Sequence, residues 1–366
     1  MIRTLSSVVG VVSFRPVFAA FTLLGSTLLM HCDDPADRPS SVDSLRVLAV
    51  HASPSLAAPG DQVALTLLTV DGPINKPKRS VQTLWIEGCE NPAGGTPSSC
   101  LGGVNRWVSK LTENEIASGV VDPSKLPSAT SIGLGPTFTR SISESVLEEA
   151  SDSVDGSPKR GVDMLFFAVC AGHLKGIDDA NPPQGLALGC FAQDGTQLGQ
   201  EDFVTGFIPI GVYANEKNQD PSIEKLVIAG VAPSDRACSV DADCPKNEAC
   251  GQLATCVPIV PACDASNEDD CAGLKMAPVV TSSSVELDTT LAPSQPESLW
   301  ATYFTDAGHF DDDARVVFDS EGLRTTDSLE NKMIPARGYR GPAHVWVVVH
   351  DSRMGVRWVE PEVVVR

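Results

Sequence analysis

The sequence predicts a mainly β protein made of two β-sandwich domains, the second interrupted by a disulfide-rich insertion. Three observations predict it. Short apolar runs, several alternating with period two, recur along the chain. Its 27 prolines and 30 glycines are spread between those runs rather than massed in one tract, which suits many short elements joined by turns. Ten of the 11 cysteines lie beyond residue 88, six of them crowded between positions 238 and 271.

At 366 residues, with a hydrophobic fraction of 42%, the chain can furnish two cores. Its net charge of −20 excludes nucleic acid as a natural partner, because an acidic surface repels phosphate instead of releasing its counterions.

The first 31 residues carry only Arg3 and Arg15 as charged side chains, and Arg15 opens a largely apolar run from Pro16 to Met30. That run is shorter than the roughly 20 residues a membrane-spanning helix needs, yet long enough for the core of a signal peptide. Residues 1–31 are therefore read as a signal peptide and 32–44 as a polar tether. Leu29-Met30-His31-Cys32 resembles the bacterial lipoprotein signal, matching at Leu29 and Cys32 and departing at His31, where that family prefers a small residue. The resemblance implies lipidation of Cys32, a membrane anchor and a place in the bacterial cell envelope. Cleavage by an ordinary signal peptidase, with Cys32 left as a thiol, is the alternative.

The first domain is expected over 45–214. Ser44 to Ala52 reads as a strand, Pro59-Gly60-Asp61 as a turn, and Gln62 to Val70 as an alternating strand ending at Asp71-Gly72, which together make an opening hairpin. Strand, Pro-Gly-Asp turn and alternating strand also resemble the first repeat of immunoglobulin-like domains in bacterial envelope lipoproteins. Further strands are expected at Val81 to Glu87, Val162 to Cys170, Gly185 to Ala192 and Phe203 to Tyr213. The polar stretch 105–161 holds two capping-box patterns, Thr112-x-x-Glu115 and Ser145-x-x-Glu148, and is read as a partly helical insertion. Residues 215–221 (NEKNQDP) form a polar linker ending in proline.

The second domain, 222–366, begins with a strand at Ser222 to Val231 and resumes after an insertion at 236–272. Its later strands are Ala277 to Leu287, Glu297 to Thr305, Ala314 to Phe318, Ala343 to His350 and Val356 to Val365. The last two read as a closing hairpin around Asp351 to Gly355, which is similar to the end of an immunoglobulin-like domain.

Eleven is an odd number, and setting Cys32 aside leaves ten to pair. Cys89 with Cys100 and Cys170 with Cys190 are expected as local disulfides. Cys238, Cys244, Cys250, Cys256, Cys263 and Cys271 are separated by five, five, five, six and seven residues. Disulfides are favoured over zinc, whose structural sites use close C-x2-C pairs absent here, and the connectivity is left open. The stretch from Cys238 to Cys256 resembles small Cys-rich modules of secreted proteins, including part of the whey-acidic-protein core. It lacks that family's adjacent cysteine pair, and no inhibitor activity is carried over.

Asp306, Asp311, Asp312 and Asp313 gather oxygen donors around a β-turn and are candidate calcium ligands, although the EF-hand spacing is absent. Asp241 and Asp243 are read as turn-shaping. His344, Trp346, Val348 and His350 share one strand face by period two and are read as a partly polar surface. Ser222-Ile-Glu-Lys225 has the bare S-x-x-K spacing of penicillin-binding enzymes without its companion motifs, and the G-x-S-x-G, phosphate-loop and H-E-x-x-H patterns do not occur. The reading is a non-enzymatic, lipid-anchored envelope protein that binds an unidentified protein or glycan or serves structurally, with no cofactor beyond possible calcium. Its alternatives are a calcium-assisted adhesin or glycan-binding module and a secreted hydrolase with an unrecognised site.

Overall fold

The computed structural model describes residues 38–366 except 73–76, 78, 128–129, 153–156, 178–184, 231, 235, 292 and 324–328. The signal peptide and Cys32 lie outside the described residues. Residues 38–366 form one compact unit, mainly β, whose strands lie in facing sheets.

In the N-terminal half the elements are β1 (Leu45–Ser53), β2 (Leu56–Ala57), β3 (Gln62–Asp71), β4 (Gln82–Glu90), α1 (Ser98–Val108), α2 (Glu113–Ser118), β5 (Ile132–Leu134) and β6 (Thr137–Ser141). They continue with α3 (Ser145–Glu148), β7 (Gly161–Cys170), β8 (His173–Gly176), β9 (Leu188–Phe191) and β10 (Phe203–Val212). The predicted opening hairpin is present as antiparallel β1 and β3, and Gly60 in its turn has φ +85°, a conformation glycine adopts without penalty. One sheet runs β1-β3-β6 and the other β2-β10-β7-β4-β5.

Strand β7 shows why the second sheet is central. Leu165, Phe167 and Val169 face the first sheet together with Trp85, while Met164, Phe166 and Ala168 face the opposite way with Leu84 and Ile86. That second face is covered by Val104, Trp107 and Val108 of α1 and Ile116 of α2. A sheet buried on both faces reads as a continuous apolar run, as it does from Met164 to Ala171.

The C-terminal half contains β11 (Ile223–Ile228), β12 (Glu248–Cys250), β13 (Cys256–Val260), β14 (Leu274–Val280), β15 (Leu287–Asp288), β16 (Gln295–Pro296) and β17 (Leu299–Thr305). It ends with β18 (Gly308–Phe310), β19 (Ala314–Phe318), β20 (Asn331–Pro335), β21 (Gly341–Asp351), β22 (Val356–Val359) and β23 (Glu362–Val365). A sheet ordered β11-β14-β20-β18 faces one ordered β12-β13-β23-β21-β17-β19, with β22 paired to β21. Leu226, Met276, Tyr303, Phe310, Met333, Val345 and Val347 fill the space between them. The Cys-rich segment is grafted into this sandwich: Ile259 and Val260 pair in parallel with Val364 and Val365 of β23.

The even-numbered face of β21 corrects the surface reading. Trp346 and Val348 are buried against Leu48, Ala49, Leu68 and Val42, so this face is the joint between the halves. The stretch expected as a tether contributes here too. Thr305 N donates to Ser40 O at 2.9 Å and Val42 N donates to Thr305 O at 2.8 Å, which seats residues 40–42 on the end of β17. The expected linker is likewise held. Asn218 Nδ2 donates to Asp351 Oδ2 and to Ser55 Oγ, both at 3.0 Å, while Lys217 O accepts Arg353 Nη1 at 2.9 Å.

Candidate functional site

The four aspartates proposed for calcium do not converge. Asp306 is buried between β17 and β18, and its carboxylate accepts from His344 N at 2.7 Å and faces His344 Nδ1 at 3.1 Å. Asp312 pairs with Arg315, and Asp311 lies 3.7 Å from Lys332 Nζ. Asp313 is exposed and uses its backbone carbonyl to accept from Tyr303 N at 3.2 Å. Oxygen ligands of calcium must meet at about 2.3 to 2.6 Å from one point, whereas the carboxylates of Asp306, Asp311 and Asp312 are each turned to a different partner and Asp313 faces solvent.

Asp241 and Asp243 do shape turns. Asp243 Oδ2 accepts from Ser239 N at 2.8 Å and Val240 N at 3.1 Å, and Asp241 accepts from Cys250 N at 3.0 Å and pairs with Arg366 at 2.5 Å. Ser222 and Lys225 are both exposed at the start of β11, so their S-x-x-K spacing falls on an extended strand rather than a helix.

The cysteines pair as Cys89–Cys100, Cys170–Cys190, Cys238–Cys250, Cys244–Cys256 and Cys263–Cys271, with Cα separations of 5.6, 5.6, 5.7, 5.5 and 5.3 Å. The first ties β4 to α1, and the second ties the end of β7 to β9. The next two cross one another in sequence and hold the β12–β13 hairpin to the loop before it.

Two buried charge clusters were missed in the sequence. In the first, Arg140 of β6 crosses to the opposite sheet. Its Nε donates to Asp163 Oδ2 at 2.5 Å, its Nη1 donates to Glu87 Oε1 at 2.6 Å, and Glu90 lies at 3.8 Å. Burial is the main cause that pushes the Asp163 carboxyl up to about 6, and the arginine offsets only part of it. In the second, Arg353 beyond β21 donates to Glu297 at 3.1 Å and to Glu286 at 2.5 Å, locking the residue 215–221 strap. Gly355 is required beside it, because a Cβ there would lie 2.0 Å from Asp351 Oδ2. Acidic residues occur throughout this chain, so nothing in their spacing singled out the ones that would face an arginine across two sheets.

His350 stacks on Trp300 with ring centroids 5.3 Å apart and planes at 11°, and its Nε2 lies 3.1 Å from Thr302 Oγ1. Burial alone lowers its pKa to about 4, so the ring is neutral near pH 7. One open cleft of about 480 Å³ is lined by Glu113, His173, Lys175, Phe191 and Gln193. Within it His173 Nδ1 stands 3.8 Å from Glu113, and the Lys175 amine sits 6.0 Å above the Phe191 ring.

No family model and no curated protein matches this chain. Among solved structures it is similar to the fibronectin(III)-like modules of Clostridium thermocellum CbhA, at 8% identity over 87% of this chain and 93% of that one, with a TM-score of 0.19. Dimeric latent PorU from Porphyromonas gingivalis is 10% identical over 89% of this chain and 24% of that one, with a TM-score of 0.18. The two tandem V-type regions of VCBP3, a v-region-containing chitin binding protein, are 9% identical over 89% of this chain and 100% of that one, with a TM-score of 0.18. With scores this low, the strand ladders described above carry the account of the fold.

Proposed function

We propose that the chain is an exported bacterial envelope protein, anchored through a lipid on Cys32, that works as a non-enzymatic binding or structural module. The observation that supports this most is the cysteine pairing. The ten cysteines beyond Cys32 are used in five disulfides, which leaves Cys32 as the odd one. Disulfides persist in oxidising compartments, and the basic, apolar N-terminal run ends at the same Cys32.

A binding or structural role is supported by where the titratable groups lie. The strongly perturbed Asp163 is buried between its sheets and His350 is half-buried on its own, and neither lines the Glu113–His173 cleft. Their perturbation belongs to packing rather than to a reaction site.

The test is the intact mass of the mature protein extracted from membranes. Cleavage between His31 and Cys32 with the added mass of at least two acyl chains is expected, since one chain anchors only marginally. An unmodified N-terminus at another residue overturns the proposal. Cys32→Ser is expected to release a folded, disulfide-bonded protein from the membrane fraction.

A further inference from the structure

We propose that the Glu113–His173 cleft is a binding site for a neutral glycan, with the Phe191 ring as its floor. The proposal rests on the binding role stated above and gives that role a place and a ligand class. The β8–β9 hairpin builds the floor. His173 pairs with Phe191 and Lys175 with Gly189 across the hairpin, so these four share its outer face, while Leu174, Leu188 and Cys190 are buried in the core behind it. Gly189 is what lets the ring lie across the hairpin. A Cβ there would fall 2.7 Å from Phe191 Cε2 and 2.9 Å from Cζ, in space the ring now occupies. The Cys170–Cys190 disulfide ties β9 to the end of β7, which makes the floor rigid.

The walls are polar. Glu113 stands in the first turn of α2, whose start is fixed by the Thr112–Glu115 capping box. Gln193 is carried by a turn closed by Ala192 N donating to Thr196 O at 2.8 Å and Gly195 N donating to Ala192 O at 3.0 Å. The space between floor and walls, about 480 Å³, lies within the roughly 300 to 1,000 Å³ of small-ligand sites. His173 Nδ1 is 3.8 Å from Glu113, beyond hydrogen-bond reach, so their contact leaves both able to bond a ligand. A carboxylate accepts from hydroxyls, and an amide or an imidazole can both donate and accept. An aromatic floor ringed by such groups matches a pyranose, which has an apolar C–H face and a rim of hydroxyls.

Charge decides which sugars fit. Glu113 and Lys175 offset one another inside the cleft, and a chain of net charge −20 repels acidic glycans. The Lys175 amine, 6.0 Å above the Phe191 ring, stands where the sugar would lie. That side chain is exposed, and an ammonium at such a range on an exposed ring is weakly held, so the sugar displaces it.

The Cys32→Ser form of the full chain, which carries no lipid, is labelled with nitrogen-15 and titrated by NMR with cellobiose, maltose and lactose. Digalacturonate serves as the charged counterpart. Millimolar binding of at least one neutral sugar is expected, with amide shifts centred on His173, Lys175, Phe191 and Gln193. Phe191→Leu keeps an apolar side chain but loses the flat face, and it is expected to weaken binding about 10-fold or more. Gln193→Ala alters only an exposed turn residue, so it keeps the fold and should weaken binding about 3- to 10-fold. Lys175→Ala is expected to bind as tightly as the wild type or more tightly. No shift at these amides with any of the three neutral sugars overturns the proposal. So do unchanged affinity in both Phe191→Leu and Gln193→Ala, loss of binding in Lys175→Ala, or tighter binding of digalacturonate than of all three. The intact mass at Cys32 decides the anchoring reading separately.

Discussion

Replacing His350 by phenylalanine tests the electrostatics of the C-terminal sheet directly. The ring stacks on Trp300, and its burial lowers the pKa from 6.5 to about 4. A base whose folded pKa is depressed binds fewer protons folded than unfolded between those values. Its contribution to stability is complete above pH 6.5 and is lost as the pH falls through the window to 4. A shift of this size corresponds to about 3 kcal/mol in full, of which about 2 kcal/mol is gone by pH 5. Phenylalanine keeps the stack and cannot titrate. Urea unfolding at pH 7.5, 6 and 5 should therefore show a variant that loses about 2 kcal/mol less than the wild type between the extremes. Parallel pH dependence in the two proteins, to within about 0.5 kcal/mol, would refute the assignment of the buried neutral ring.

Asp163 acts in the opposite sense. Its folded pKa is raised to about 6, so folding is favoured as the pH falls through 6, and Asp163→Asn should remove about 1.5 kcal/mol of gain between pH 7.5 and 5. Relative to the wild type, the two variants are thus expected to tilt in opposite directions over this range. Arg140→Met leaves Glu87, Glu90 and Asp163 without their shared cation and should cost about 3 to 5 kcal/mol by urea denaturation, with part of the loss recovered in combination with Asp163→Asn. Trp346→Ala empties the joint between the halves. About 3 to 5 kcal/mol should be lost, and limited proteolysis should open the 215–221 strap. Calcium or its chelator should move the melting temperature by less than about 1 °C, because a ligand stabilises only by binding the folded state and the aspartates of the 306–313 loop are already paired elsewhere or exposed.

Strands were legible where one face is wet or the run is long. Gln62 to Val70 alternated and became β3, and Val162 to Cys170 was continuous and became β7. Helix α1 was missed because Pro97, Gly102 and Gly103 argue for a loop, while Val104, Trp107 and Val108 gain enough burial on the central sheet to override that preference. Thr112-x-x-Glu115 is a true capping box, with Thr112 N donating to Glu115 at 2.9 Å. Ser145 instead turns its hydroxyl to Glu90, and α3 is capped without a side-chain bond. The run from Val356 to Val365 breaks at Pro361, giving β22 and β23 with different registers on β21. Period two identified the His344 to His350 face correctly but could not say what would cover it, since Trp346 and Val348 suit an internal joint as well as a surface patch.

The seating of Ser40 and Val42 on Thr305 also fixes an order of events. Residues 40–42 can dock only once a strand more than 250 positions later is in place, and β17 itself needs β21 beside it. The N-terminal half can assemble its own sheets first, but its outer face stays uncovered until β21 has formed. Contacts this distant in sequence are slow to close, and they leave Leu48 and Leu68 open to wrong partners in the interval. A chaperone that shields that face during the delay would act on the same surface that Trp346 finally covers.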